Sequence, residues 1–112
     1  MQNEIEINFP NSFGNIEFET NHGTFTVAVK DKEKKPLSGL RAKNFHLHHN
    51  GEFVHNIEVS EQVVGVYTLW FPIEEKDLNA LKLEGRQVKP YEIMLTVKQG
   101  DKSSNNRLIL LF

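Results

Sequence analysis

Apolar residues recur at every second position through most of this chain, and a period of two is the mark of strands with one buried face. Ile5 and Ile7 alternate with Glu4, Glu6 and Asn8, which predicts a half-buried first strand broken by Pro10 and Gly14. Ile16 and Phe18 repeat the pattern before Asn21-His22-Gly23 turns the chain. Phe25, Val27 and Val29 interleave with Thr24, Thr26 and Ala28 to predict a strong strand, followed by a long charged turn with Pro36 and Gly39. Phe45 and Leu47 lead into Asn50-Gly51, a hairpin signal because glycine accepts a positive φ. Beyond it Phe53, Ile57 and Val59 share one parity.

The length of that turn decides which side chains share a face. A two-residue turn pairs Leu47 with Val54 and puts Phe53 outside. A three-residue turn, His49-Asn50-Gly51, pairs Leu47 with Phe53 and aligns every apolar position, and burial favours it. Gly65 then opens a strand with Tyr67, Leu69 and Phe71 on one face and Val66, Thr68 and Trp70 on the other, ended by Pro72. Glu74 to Leu83 places carboxylates first and Leu78, Leu81 and Leu83 later, which predicts a short helix or helical turn. Tyr91, Ile93, Leu95 and Val97 predict another strand, Gly100 to Asn106 a polar turn, and Leu108, Leu110 and Phe112 the last strand. Short strands at close spacing, nearly all with one apolar face, predict an all-β antiparallel sandwich of about seven strands with one short helical turn.

Composition narrows the class. At 112 residues the chain is one domain, 1–112, large enough for a core without crosslinks. It has no cysteine, so disulfides and thiolate metal sites are excluded and the compartment stays open. The formal net charge of −2 gives no basic footprint for nucleic acid. No apolar run approaches the roughly 20 residues of a membrane-spanning helix, and Met1 to Glu6 has no signal-peptide pattern. The chain reads as a complete small protein or as one domain of a larger one, and the last predicted strand running to Phe112 speaks for the second.

The pieces Val27-Ala28-Val29-Lys30-Asp31, Pro36-Leu37-Ser38-Gly39-Leu40, Asn44-Phe45, Asn50-Gly51 and Gly65-Val66-Tyr67-Thr68-Leu69 together resemble bacterial immunoglobulin-like domains of the invasin and filamin type. Those domains run strand, "D-x-x-G-x-P-V-x-G-L", hairpin, "G-x-Y-x-L". Lys34 stands where the turn glycine usually sits, so this turn must differ or carry strain. Tyr91, opening a late strand, resembles the tyrosine of the immunoglobulin corner. The resemblance implies an immunoglobulin-like sandwich and a binding, adhesion, spacer or assembly module, with a cell-surface or secreted setting and no shared catalytic residues.

The candidate chemistry is thin. His46 and His48 lie two apart on one strand face, and the two-residue turn would bring His55 opposite His46, a trio able to bind zinc, copper or nickel. Under the three-residue turn the trio breaks up. Trp70 is either covered by an outer loop or the short helix near Leu78 and Leu81, or exposed, where with Val66 and Val64 it could form an apolar strip suited to contact a partner. The cluster Lys30 to Lys35 is interrupted by Asp31 and Glu33 and reads as a solvated turn. Glu74, Glu75 and Asp77 suit the first turn of a helix better than acid–base chemistry. The terminal segments Ile5 to Phe9 and Leu108 to Phe112 are candidate edges for pairing with another chain, although pairing inside the domain is the simpler outcome.

The expectation is therefore a non-catalytic module needing no cofactor. Its expected partners are a protein, a carbohydrate or neighbouring domains of a larger chain, with self-association as a further option. The alternatives are an accessory domain positioning an enzyme domain and a histidine-based metal-binding sandwich.

Overall fold

The computed structural model describes residues 5–11, 14–17, 19–77 and 91–111. They form a single curled sheet of nine strands: β1 Ile5–Asn8, β2 Gly14–Glu17, β3 His22–Asp31, β4 Phe45–His49, β5 Glu52–Val54, β6 Glu58–Val63, β7 Val66–Pro72, β8 Tyr91–Gln99 and β9 Lys102–Leu111. A 3-10 turn, Ala42–Asn44, precedes β4. Residues 75–77 are helical, with Asp77 N–H donating to the Glu74 carbonyl at 3.0 Å. The rest of the predicted helical segment, with Leu78, Leu81 and Leu83, lies outside the described residues, as do Phe18 and Phe112.

The strand order is β5-β4-β8-β9-β2-β3-β7-β6, with β1 also on β3. One edge of β3 is shared: β1 runs along Ala28–Asp31 and β2 along His22–Thr24. β2 also pairs parallel with β9, Gly14 opposite Leu110 and Asn15 opposite Leu111. It thus stitches the leaf β5-β4-β8-β9 to the leaf β1/β3-β7-β6. The junction needs a glycine, because a Cβ on Gly14 would stand 2.8 Å from the Thr24 carbonyl oxygen and 3.0 Å from Leu110 Cγ.

The leaves face each other across one core. Phe25, Val27 and Val29 of β3 and Tyr67, Leu69 and Phe71 of β7 oppose Phe45, Leu47, Ile93, Leu95 and Val97 of the other leaf. The rings of Phe45 and Tyr67 meet at 5.3 Å between the leaves. Full burial of each such side chain is worth about 1.5–3 kcal/mol, so the alternation read in the sequence is also the main source of cohesion.

Four local expectations change. The hairpin after β4 is the two-residue form: Leu47 pairs with Val54, His48 with Phe53 and His49 with Glu52. Asn50 and Gly51 take φ of 51° and 80°, the left-handed pair that matches strand twist in a tight hairpin. Consequently Phe53 faces outward. The apolar run from Phe53 to Val59 is not one strand, because Asn56 at φ 62° ends β5 and β6 crosses to the other leaf beside β7. The polar stretch 102–106 is strand rather than turn, paired with β8 from Gln99 to Leu95. Its polarity has a physical reason: Lys102, Ser103, Asn105 and Asn106 are exposed, and Ser104 alone of the stretch is buried. The split between β1 and β2 follows the break read at Pro10 and Gly14, and splitting the post-hairpin run into β5 and β6 brings the strand number to nine. The terminal strands are paired inside the domain, β1 with β3 and β9 with β8.

Candidate functional site

The polar groups in the most motif-like stretches fasten turns. The Tyr67 hydroxyl donates to the Leu37 carbonyl at 2.6 Å and accepts from Leu40 N–H at 3.1 Å. The Glu61 carboxylate accepts from Gly65 N–H at 2.9 Å and Gly39 N–H at 3.1 Å. Those two backbone donors, Gly65 first, hold the Glu61 carboxyl below its ordinary value, while burial pushes the Tyr67 hydroxyl up. Gly65 itself sits at φ 78°, and a Cβ there would fall 2.5 Å from Pro36 Cβ. So the "P-L-S-G-L" and "G-V-Y" stretches are two halves of one lock. Asp31 closes the charged turn, its Oδ1 accepting from Glu33 N–H at 2.8 Å and Lys35 N–H at 3.0 Å. Lys34 occupies the left-handed position of that turn at φ 69°, and its ammonium pairs with Glu6.

The histidines gather around an aromatic ring. With the two-residue turn, His46, His48 and His55 all lie against Phe53, at ring distances of 6.2, 5.4 and 4.8 Å. Phe53 is 47% exposed at the centre of this group. Among the described residues, no three His, Cys, Asp or Glu side chains form a group that could hold a metal ion. His49 does something different: it stacks on Tyr91 at 3.8 Å with the rings nearly parallel, and its Nδ1 lies 2.9 Å from the Glu92 carbonyl. Alternation along β4 gave no sign of that contact, because it depends on β8.

Trp70 lies half-buried on the outer face of its leaf, between Thr24 of β3 and Glu58 of β6. His22 stacks on it at 5.3 Å and is anchored in turn by the Thr20 hydroxyl. Val66 is half-buried on the same face, but Thr68 stands between the two, and Val64 lies at the β6–β7 turn, exposed. The structure interrupts the strip of Trp70, Val66 and Val64 with Thr68. It instead exposes Val63 and Val64 side by side at 64% and 63%. Two exposed valines at a tight turn run against ordinary turn chemistry, and the sequence Gln62-Val63-Val64-Gly65 carries that signal openly.

A cleft of about 220 Å³ opens at the far end of the sandwich. Val54, Ile73 and Tyr91 line it as half-buried or buried apolar groups with the exposed Phe53 beside them, and Glu52, Glu74 and Asp77 add an acidic lining. Burial, then Asp77 and Glu74, push the Tyr91 hydroxyl far above its ordinary value. Tyr91, stacked with His49, acts as a wall of the cleft.

No protein-family model matches the chain, and no curated protein does. Among solved structures it is similar to titin M4 in a trigonal crystal form, with a TM-score of 0.50 over 98% of this chain and 97% of that one, at 13% identity. Titin M4 is an immunoglobulin-like domain, and the likeness, together with the strand-rich curled sheet, makes this chain an all-β immunoglobulin-like fold.

Proposed function

We propose that this chain is a non-catalytic binding or structural module that contacts a partner through the outer face of the β1/β3-β7-β6 leaf. The observation that carries the reading is Trp70, a half-open aromatic set among Thr24, Thr68 and Glu58 on an outer strand face and backed by His22. Such a face offers one large apolar anchor with hydroxyl and carboxylate groups around it, the composition of contact surfaces for proteins or carbohydrates. The turn sequences resembling bacterial immunoglobulin-like domains support a bacterial adhesion or assembly role and a surface or secreted setting. In the same lock of turns, Tyr67, Glu61 and Asp31 serve architecture, which supports the absence of catalysis.

The test screens the chain against arrayed extracellular proteins and glycans, with Trp70→Ala alongside. Expected is a ligand lost by Trp70→Ala while the variant keeps a cooperative melt. Binding unchanged by the substitution, or an unfolded variant, removes Trp70 as the contact residue.

A further inference from the structure

The charges of this chain, scattered in sequence, are sorted by the fold to opposite ends of a body 45 Å long. The turn after β3 carries Lys30, Lys32, Lys34 and Lys35, the entry to β4 carries Arg41 and Lys43, and the β8–β9 hairpin carries Lys98 and Lys102. These segments adjoin: Lys102 lies beside Asp31, Lys32 and Glu33, and Asn44 Nδ2 donates to the Lys98 carbonyl at 2.8 Å. Five carboxylates share that end, leaving it at +3 among the described residues. The other end holds eight carboxylates, among them Glu52, Glu74, Glu75 and Asp77, against Lys76 and Arg107, a balance of −6. Adding every charge of residues 78–90 to the acidic end still leaves −4, and adding Glu4 to the basic end still leaves +2. The ends are several screening lengths apart, the Debye length being about 10 Å at 0.1 M salt, so each presents its own field.

Each end also carries an apolar feature of complementary shape. The basic end projects Val63 and Val64, exposed at 64% and 63%. The acidic end holds the cleft of about 220 Å³ with its apolar lining and its carboxylates Glu52, Glu74 and Asp77. A cavity of about 150 Å³ accommodates benzene, so the cleft has room for a valine side chain.

We infer that copies of this chain associate head to tail, the Val63–Val64 turn of one entering the acidic cleft of the next while its lysines face those carboxylates. The contact joins two different surfaces; such a contact makes a ring only where its rotation closes, and with the two surfaces at opposite ends it builds open chains. Opposite charge steers the encounter, and the apolar tip holds it. The inference concerns the two ends and stands apart from the Trp70 face.

Sedimentation velocity of the whole chain tests it, with two variants blocked at one end each: Val64→Glu at the basic end, and Glu52→Lys with Glu74→Lys at the acidic end. All three positions are exposed, and the melting curve of each variant confirms folding. Expected for the parent chain is a concentration-dependent series of oligomers at low salt that reverts to monomer at high salt. Each variant alone should associate at least about tenfold more weakly. Their equimolar mixture should form dimers and nothing larger, since each supplies the end the other lacks. A parent chain monomeric throughout, variants that assemble like the parent, or a mixture without dimers overturns the inference. Binding of a monomeric parent chain to phosphatidylserine vesicles, lost in Val64→Glu, would assign the basic end to a lipid surface and also overturn it. Ligands found through Trp70 would survive any of these failures.

Discussion

Lys34 is the residue most at odds with its own backbone. Its φ of 69° is a left-handed conformation that costs an L-residue about 1–2 kcal/mol and glycine almost nothing. Its compensation is an exposed ion pair with Glu6, and exposed pairs contribute little. Relief of strain therefore wins: Lys34→Gly should raise the thermal midpoint by a few degrees, corresponding to about 1 kcal/mol. Lys34→Ala, which loses the pair and keeps the strain, should give no gain; equal midpoints for the two variants would refute the strain. Glu61 gives the matching pH effect. Its carboxyl is held below the ordinary value of 4.5 in the folded state by Gly65 and Gly39 N–H. Its contribution is thus present above pH 4.5 and lost as the pH falls through the depressed folded value. The gap in midpoint between the parent chain and Glu61→Gln should be full at pH 7 and shrink in acid, and a gap constant down to pH 3 would contradict the assignment. The sequence pointed to Lys34 as a misfit because the turn pattern around it is local. It did not show Glu61 as the clasp, since Gly39 lies 22 residues away.

At the scale of elements, the β4–β5 hairpin carries the sharpest test. Leu47 is fully buried and Phe53 is 47% exposed. Leu47→Ala should cost about 2–5 kcal/mol and Phe53→Ala less than about 1.5 kcal/mol in urea unfolding. A three-residue turn would put Phe53 in the core opposite Leu47 and make its truncation cost about 3–5 kcal/mol. Asn50-Gly51 marks a hairpin clearly, yet it fits loops of either length, and burial of Phe53 favoured the longer one. What outweighed it is twist: two left-handed residues in a tight turn match the flanking strands, and Val54 fills the inner position instead. The same choice placed His46, His48 and His55 around Phe53, an arrangement that no count of apolar positions ranks. The break at Asn56 was equally hidden, because a run of matching parity looks the same whether the chain continues or crosses to the other leaf.

For the whole molecule, the decisive joint is β2, which links residue 14 to residue 110 and closes two leaves into one curled sheet. Antiparallel strands return the chain to the same end every second turn, so the cations of 30–43 come to one end with those of 98–102, and the carboxylates of 74–77 to the other with Glu52. A net charge of −2 conceals that separation entirely. The amino-acid sequence by itself determined the strand class, the inward faces of β3, β7 and β8, and the turns at Asn50-Gly51 and Gly65, because alternation and positive-φ chemistry act over a few neighbouring residues. Only the tertiary structure decided the hairpin register, the crossing after Asn56, the parallel seam of β2 with β9, and the acidic cleft facing away from a basic, valine-tipped end. Each of these depends on which distant strand lies alongside, and the free energy that chooses between neighbours is a sum over the whole core.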